Sequence, residues 1–110
     1  MDNEPGADNG EGVKEFRIEQ LFGSRTRVKL LRLFLTNPEE QFFVREITRR
    51  IDERINSVRR ELANLEDLGL VQTVARDHKR YYRLDTGCVL YPELKALVLK
   101  SRVALEQNLV

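Results

Sequence analysis

The feature that most constrains the fold is a helical repeat of apolar residues that stops at a glycine. The apolar side chains follow one another at intervals of three and four, at Ile55, Val58, Leu62, Leu65 and Leu68. This spacing predicts an α-helix over 56–68 with one buried face, because residues three and four apart share a side of a helix. Gly69 stands where a left-handed C-cap would end that helix.

Two shorter helices are predicted before this one. Ser24 is an N-cap candidate for a helix that ends at Asn37-Pro38, because proline disfavours helix in the residue before it. Its apolar residues are Val28, Leu31, Phe34 and Leu35. A short strand is predicted over 42–44, and Ile47 and Ile51 then fit a helix over 45–51. Polar residues 52–54 would make a tight turn into the 56–68 helix.

The residues after Gly69 predict a hairpin and a last helix. Segments 70–75 and 81–84 are strand candidates, and the polar segment 76–80 would link them. Pro92 fits the first position of a helix whose apolar face holds Leu94, Val98, Leu105 and Leu109. This order predicts a mainly α fold with a small β-hairpin, of class α+β. It is the order of a winged helix-turn-helix domain over 13–87, followed by an additional C-terminal helix over 88–110.

Composition separates the first residues from the rest. Segment 1–12 is rich in Gly, Asp, Glu and Asn, so it predicts a disordered acidic leader that buries too little apolar surface to fold. The 110-residue chain is otherwise expected to be one domain. No apolar stretch approaches the roughly 18 residues that cross a bilayer, and no signal peptide is recognisable. We therefore expect a cytoplasmic protein with no membrane contact, and its single cysteine, Cys88, agrees with a reducing compartment.

Charge is unevenly divided along the chain, although the formal net charge is only +1. Residues 1–20 hold two basic and six acidic side chains, a net charge of −4. Residues 24–84 hold fourteen basic and nine acidic side chains, a net charge of +5. Clustered Lys and Arg suit a polyanion because they neutralise phosphates. An ordinary mixed-charge surface fits the same numbers equally well.

The polar face of the 56–68 helix carries side chains suited to reading DNA. The residues that point away from the predicted core are Asn56, Ser57, Arg59, Arg60 and Asn64. Asn and Arg can make paired hydrogen bonds to adenine and guanine edges in the major groove. Recognition helices contact bases mainly through their N-terminal residues, where these side chains stand. The alternative is that Asn56 or Ser57 caps the helix and that the arginines are ordinary surface charge.

The predicted hairpin supplies a second set of candidate DNA contacts. Its link holds four potentially cationic residues, namely Arg76, His78, Lys79 and Arg80. A basic loop of this kind fits phosphate or minor-groove contact, which adds affinity and little sequence discrimination; the alternative is a solvated tip. Three arginines near helix starts are further phosphate-contact candidates: Arg25, Arg27 and Arg45. Cations there oppose the helix dipole, so a compensating anion is expected, although a chance surface position explains them as well.

Signals for catalysis and for metal binding are weak. His78 is the only histidine, Cys88 has no histidine near it in sequence, and no glycine-rich phosphate loop is present. One His and one Cys with scattered carboxylates make a poor metal-ligand set. The sequence therefore predicts a protein that is not an enzyme and that has no metal or other cofactor.

The sequence resembles the ArsR/MarR-like winged-helix regulators of bacteria and archaea. The resemblance rests on four segments: GSRTRVKLLRLFLTNP (23–38), VREITRRI (44–51), SVRRELANLEDLGLV (57–71) and RYYRLD (80–85). It implies sequence-specific binding of double-stranded DNA, usually as a homodimer, with 56, 57, 59 and 60 at major-groove positions and 76–80 as the wing. LYPELKALVLKS (90–101) also looks like the tail of winged-helix domains found beside nucleotidyltransferase domains. The cysteine ligands of metal-sensing members are absent from 44–51.

Three functions remain open at this point. The first is a DNA-binding transcriptional regulator that dimerises through the apolar face of 92–110, although such a face can also simply pack on its own core. The second is a winged-helix interaction module whose partner is a separate nucleotidyltransferase or another protein, since fold alone does not settle function. The third is RNA binding, because the wing contributes charge and no base readout.

Overall fold

The computed structural model describes the backbone of residues 22–108 and the side chains as far as residue 101. The helices are α1 (Arg25–Leu35), α2 (Val44–Ile51), α3 (Ile55–Asp67) and α4 (Tyr91–Asn108). The strands are β1 (Gln41–Phe43), β2 (Val71–Arg76) and β3 (Lys79–Leu84). The predicted leader over 1–12 lies outside the described residues, as do the side chains of Leu105 and Leu109.

Helix α1 is the centre of the molecule, and α2, α3, α4 and β3 all pack against it. It begins as predicted at Ser24, whose Oγ accepts a hydrogen bond from the backbone N–H of Arg27 at 3.1 Å. Its apolar side chains are buried at less than a tenth of their accessible area: Val28, Leu30, Leu31, Leu33, Phe34 and Leu35. Apolar residues on nearly every side mark a helix enclosed by its neighbours.

Helices α2 and α3 are joined by a turn at Asp52, which takes the left-handed conformation with φ 56°. Such a residue reverses the chain within a few positions, so the helices can cross closely. Val44 was predicted on the preceding strand and is instead the first residue of α2. The strand has no partner there, because the register of β1 with β3 ends at Phe43.

The end of α3 corrects one predicted core position. Val58, Leu62 and Leu65 are buried as the spacing predicts, but Leu68 is 70% exposed. The helix stops at Asp67, and Leu68 is the cap residue beyond which Gly69 turns the backbone at φ +81°. The side chain of Leu68 therefore leaves the inward face one residue before the glycine.

The strands form one antiparallel sheet in the order β1-β3-β2. Val71, Tyr82, Leu84 and Phe42 point to the core, and the alternate residues form the outer face, because successive strand residues point to opposite sides. The link between β2 and β3 was predicted over 76–80, but the turn itself is only Asp77-His78. Both residues have positive φ, 54° and 63°, a conformation that matches the twist of a two-residue hairpin and lets both strands extend.

Helix α4 packs against α1. It begins at Tyr91, so Pro92 is its second residue and not the first as predicted. Val98 and Ser101 are buried, and Leu94 is half-buried against the core, so this part of the apolar face packs within its own chain. Across residues 22–108 no helix combines the length and the apolar character needed to cross a membrane.

Candidate nucleic-acid interface

Helix α3 presents its N-terminal half to solvent. Asn56, Arg59 and Arg60 are exposed and Ser57 is half-buried, while Val58 and Leu62 anchor the opposite side. The N-cap is Arg54, and no side chain makes a cap hydrogen bond there. Neither Asn56 nor Ser57 is therefore used as a cap, and both polar side chains are left for other contacts.

A basic groove lies between the start of α2, the exposed side of α3 and the hairpin. Its volume is about 440 Å³, and its lining residues are Phe43, Val44, Arg45, Arg59, Lys79, Arg80 and Tyr82. Four predicted DNA-binding cations thus come together from α2, α3 and β3, and none of the lining residues is acidic. Clustered cations without a carboxylate favour an anionic ligand, because the positive potential is not cancelled locally.

The outer face of the sheet holds a second group, which we call the wing cluster: Phe43 of β1, and Arg76, Lys79 and Tyr81 of the hairpin. The rings of Phe43 and Tyr81 meet edge to face with centroids 5.9 Å apart. The Arg76 guanidinium carbon lies 4.6 Å from the Tyr81 ring centroid, and Lys79 Nζ lies 5.6 Å from that of Phe43. Both cations are within the distance at which a ring face attracts a positive charge. His78 is exposed at the tip beside them.

Arg27 is placed away from the basic groove and is paired with a buried carboxylate. Its Nε donates to Glu61 Oε1 at 2.8 Å, and Asn64 Nδ2 donates to the same oxygen at 3.3 Å. Ser24 Oγ donates to Glu61 Oε2 at 3.4 Å. Burial raises the pKa of Glu61, but these hydrogen bonds outweigh it and hold the pKa below its ordinary value. This contact fixes α3 against α1.

A second carboxylate, that of Glu53, forms ion pairs with cations of α1 at the turn between α2 and α3. Glu53 Oε2 lies 2.8 Å from Lys29 Nζ and 3.5 Å from Arg25 Nε, and Thr26 Oγ1 donates to Glu53 Oε1 at 3.1 Å. The Lys29 hydrogen bond is the main reason that the pKa of Glu53 is lowered. The anions expected beside Arg25 and Arg27 are therefore Glu53 and Glu61. Of the two arginines, Arg25 keeps most of its side chain exposed.

The predicted site residues consequently fall into three groups. The first group lines the basic groove and consists of Arg45, Arg59, Lys79 and Arg80. The second lies on α3 or the hairpin outside that lining and consists of Asn56, Ser57, Arg60, Arg76 and His78. The third contacts the carboxylates of Glu53 and Glu61 and consists of Arg25, Arg27 and Asn64. Which of them contact DNA stays a prediction.

The two carboxylates that hold α1, those of Glu53 and Glu61, are not among the site residues predicted from the sequence. Glu61 stands three residues after Val58 and four before Leu65, so helical spacing puts it on the buried side of α3. A charged residue in such a position normally has a partner. The sequence therefore contained a signal for Glu61. It contained none for Glu53, because a residue in a turn has no helical spacing that could place it on a buried face.

Among residues 22–101, no group of three or more His, Cys, Asp or Glu side chains is arranged to hold a metal ion. Cys88 is a half-buried free thiol that packs against the core.

Two solved structures are similar to this chain. One is NadR in complex with 4-hydroxyphenylacetate, with a TM-score of 0.59 and 21% identity over 84% of this chain and 68% of that one. The other is a possible transcriptional regulator from Methanosarcina mazei Go1, with a TM-score of 0.57 and 16% identity over 87% of this chain and 88% of that one. No protein-family model matches the sequence, and no curated protein does. The predicted α+β class is confirmed, and the chain has the winged helix-turn-helix fold seen in transcriptional regulators.

Proposed function

We propose that the chain is a sequence-specific DNA-binding transcriptional regulator that inserts α3 into the major groove and lays the hairpin against neighbouring phosphates. The observation that carries this proposal is the basic groove. Its cations come from three separate elements, Arg45 from α2, Arg59 from α3 and Lys79 and Arg80 from β3, and no acidic residue lines it. A DNA duplex that receives α3 in its major groove would meet all three elements, with Arg59 at the bases and the cations of α2 and β3 at the phosphates.

Base reading is assigned to the start of α3. Asn56, Arg59 and Arg60 are exposed on the first two turns, which is the part of a recognition helix that contacts base edges. Lys79 and Arg80 are assigned to phosphates, because a hairpin cation contributes affinity and little discrimination. These assignments extend the ArsR/MarR-like resemblance, and the similarity in fold to NadR and to a possible transcriptional regulator supports the same function.

Selection of bound duplexes from a random DNA pool, followed by an anisotropy titration at several salt concentrations, tests the function. We expect an enriched motif and an affinity that falls steeply as salt rises, because each neutralised phosphate releases counterions. Arg59→Ala should relax the preference for the motif, whereas Lys79→Ala should weaken every duplex alike. Arg83→Ala, an exposed cation of β3 that does not line the groove, is the matched control and should change neither. Absence of binding at low salt would contradict the proposal. Preferential binding of an RNA duplex would favour RNA binding as the function instead.

We further propose a homodimer formed through the exposed side of α4. Leu94 and Val98 pack inward, so the side chains left for a partner include Leu99, 37% exposed, and Leu90, 56% exposed just before the helix. Regulators with twofold symmetry read half-sites about one helical turn apart. Sedimentation equilibrium should show a dimer that Leu99→Glu weakens. A monomer at every concentration, with a selected motif that lacks a repeated half-site, would contradict it.

A protein-interaction module is the alternative function, and one observation favours it. An apolar groove of about 140 Å³ lies at the far end of α3 from the basic groove, and its lining includes Leu68, Leu70, Leu94 and Phe22. An exposed apolar surface of this kind can bind a protein. A nucleotidyltransferase that co-purifies with the chain, together with no enriched DNA motif, would favour this function over the first.

A further inference from the structure

Each of the two cations of the wing cluster lies over an aromatic ring. Arg76 and Lys79 are directly opposite each other on β2 and β3, and they flank the two-residue turn. Val74 faces Tyr81, and Tyr81 faces Phe43, so the two rings stand one step further from the turn on the same face of the sheet. Each cation is thus a diagonal neighbour of one ring, at a separation that long side chains can bridge.

The rings support one another as well as the cations. Phe43 and Tyr81 meet at an interplanar angle of 83°, so the edge of one ring is directed at the face of the other. The backbone of Phe43 is fixed as well, because the residue closes β1 and is the N-cap of α2. The position of its ring is therefore defined both by the backbone and by the contact with Tyr81.

Lys79 is the cation of the wing cluster that lines the basic groove. Lys79 and Phe43 both line it, whereas Arg76 does not. A lysine has four rotatable bonds, and ordering it on DNA costs conformational entropy. A lysine already held over a ring loses less of that freedom when a phosphate arrives.

We infer that Phe43 is a positioning residue for DNA binding: its ring, braced by Tyr81, holds the Lys79 ammonium at the mouth of the basic groove before DNA binds. This inference rests on the proposed function. Phe43 acts through Lys79 and carries no charge itself. Its loss should therefore change affinity without changing the number of phosphates that the protein neutralises.

A double-mutant cycle on a labelled mixed-sequence DNA duplex tests the inference. Phe43→Leu should weaken affinity about two- to five-fold, the range of an exposed cation–π contact. It should leave the slope of log affinity against log salt unchanged, whereas Lys79→Gln should reduce that slope by about one. In a Lys79→Gln background, Phe43→Leu should have no further effect. Arg50→Gln, which removes the cation over the Phe42 ring at the end of α2 and outside the groove lining, is the matched control and should leave affinity unchanged.

Fluorinated phenylalanines at position 43 separate electrostatics from packing. Successive fluorines withdraw electron density from the ring face with little change in size, so affinity should fall step by step. A flat series, or the same cost of Phe43→Leu with and without Lys79, would overturn the inference. NMR of the free protein should show upfield-shifted ε-methylene protons of Lys79 that return to ordinary values in Phe43→Leu. If the Lys79 proton resonances are not shifted, the inference about Phe43 is overturned and the proposed function is not. If the wild type binds no duplex at low salt, the proposed function itself is overturned.

Discussion

Glu61 and Glu53 pair with cations of α1 within the fold. Glu61 binds Arg27 and Glu53 binds Lys29, so these two α1 cations are neutralised within the fold. The arginines and lysine of the basic groove have no such carboxylate among its lining residues. A nearby opposite charge lowers the local potential more than a distant one. Residues that look alike in sequence, Arg27 and Arg59, therefore have different roles in the fold.

Removal of Glu61 should destabilise the protein. The carboxylate is 7% exposed and accepts hydrogen bonds from Arg27, Ser24 and Asn64. Glu61→Ala leaves the half-buried guanidinium of Arg27 without its partner, and we expect a loss of about 1–3 kcal/mol in the free energy of unfolding. Urea unfolding measures it. Glu66→Ala, at an exposed position on the same helix, is the control and should change stability by less than about 0.5 kcal/mol. Equal effects of the two variants would show that the Glu61 contacts contribute nothing specific.

The hairpin turn uses two residues that are not glycine in a conformation that glycine favours. Asp77 and His78 both have positive φ, and a two-residue hairpin prefers Asp-Gly because the left-handed conformation disfavours a side chain. His78→Gly should therefore raise the free energy of unfolding, by up to about 1 kcal/mol. Thermal and urea unfolding measure the change. Thr86→Gly, at an exposed position in the turn before α4, is the comparison and should give no gain. A destabilised His78→Gly variant would mean that the histidine side chain makes a stabilising contact.

The elements that sequence predicted well are those whose periodicity is strong. Val58, Leu62 and Leu65 placed α3 to within a residue or two, and Ser24 with Asn37-Pro38 bounded α1, because both signals are local. The errors at Leu68, Val44 and the 76–80 link have two physical causes. At Leu68 and at the link, the end of the element depends on residues with positive φ, and at Val44 it depends on a strand partner that is distant in sequence.

The candidate site was predictable only in part for the same reason. The cations of α3 and the hairpin could be picked out from charge and spacing, and the structure does bring Arg59, Lys79 and Arg80 together. That Phe43 and Tyr82 complete the basic groove follows from the pairing of β1 with β3. A pairing between residues some forty positions apart has no local signature.

The whole molecule is organised around α1, with the basic groove on one side and α4 packed on another. Both carboxylate contacts of α1 reach the helix-turn-helix unit, Glu53 in the turn and Glu61 on α3. Together they hold the turn and α3 against α1. These contacts need ionised carboxylates, so the packing of α3 on α1 depends on the charge of Glu53 and Glu61.

This dependence predicts that the protein loses stability in acid. The pKa values of Glu53 and Glu61 are lowered in the folded chain, so both groups bind protons more weakly when folded than when unfolded. Their contribution is fully present above the ordinary glutamate pKa, about 4.3, and is lost as pH falls below it toward the lowered values. Urea unfolding between pH 7 and pH 3 should show a stability that is nearly flat down to about pH 5 and then falls.

The double variant Glu53→Gln/Glu61→Gln isolates the two groups from the other carboxylates. Glutamine keeps the shape of glutamate but cannot titrate, so this variant should start less stable at neutral pH and lose less stability in acid than the wild type. Glu66→Gln/Asp67→Asn, at exposed positions, should reproduce the wild-type profile. If the wild type and the Glu53/Glu61 variant lose stability in parallel, other carboxylates set the acid limit, and the two contacts of α1 do not control it.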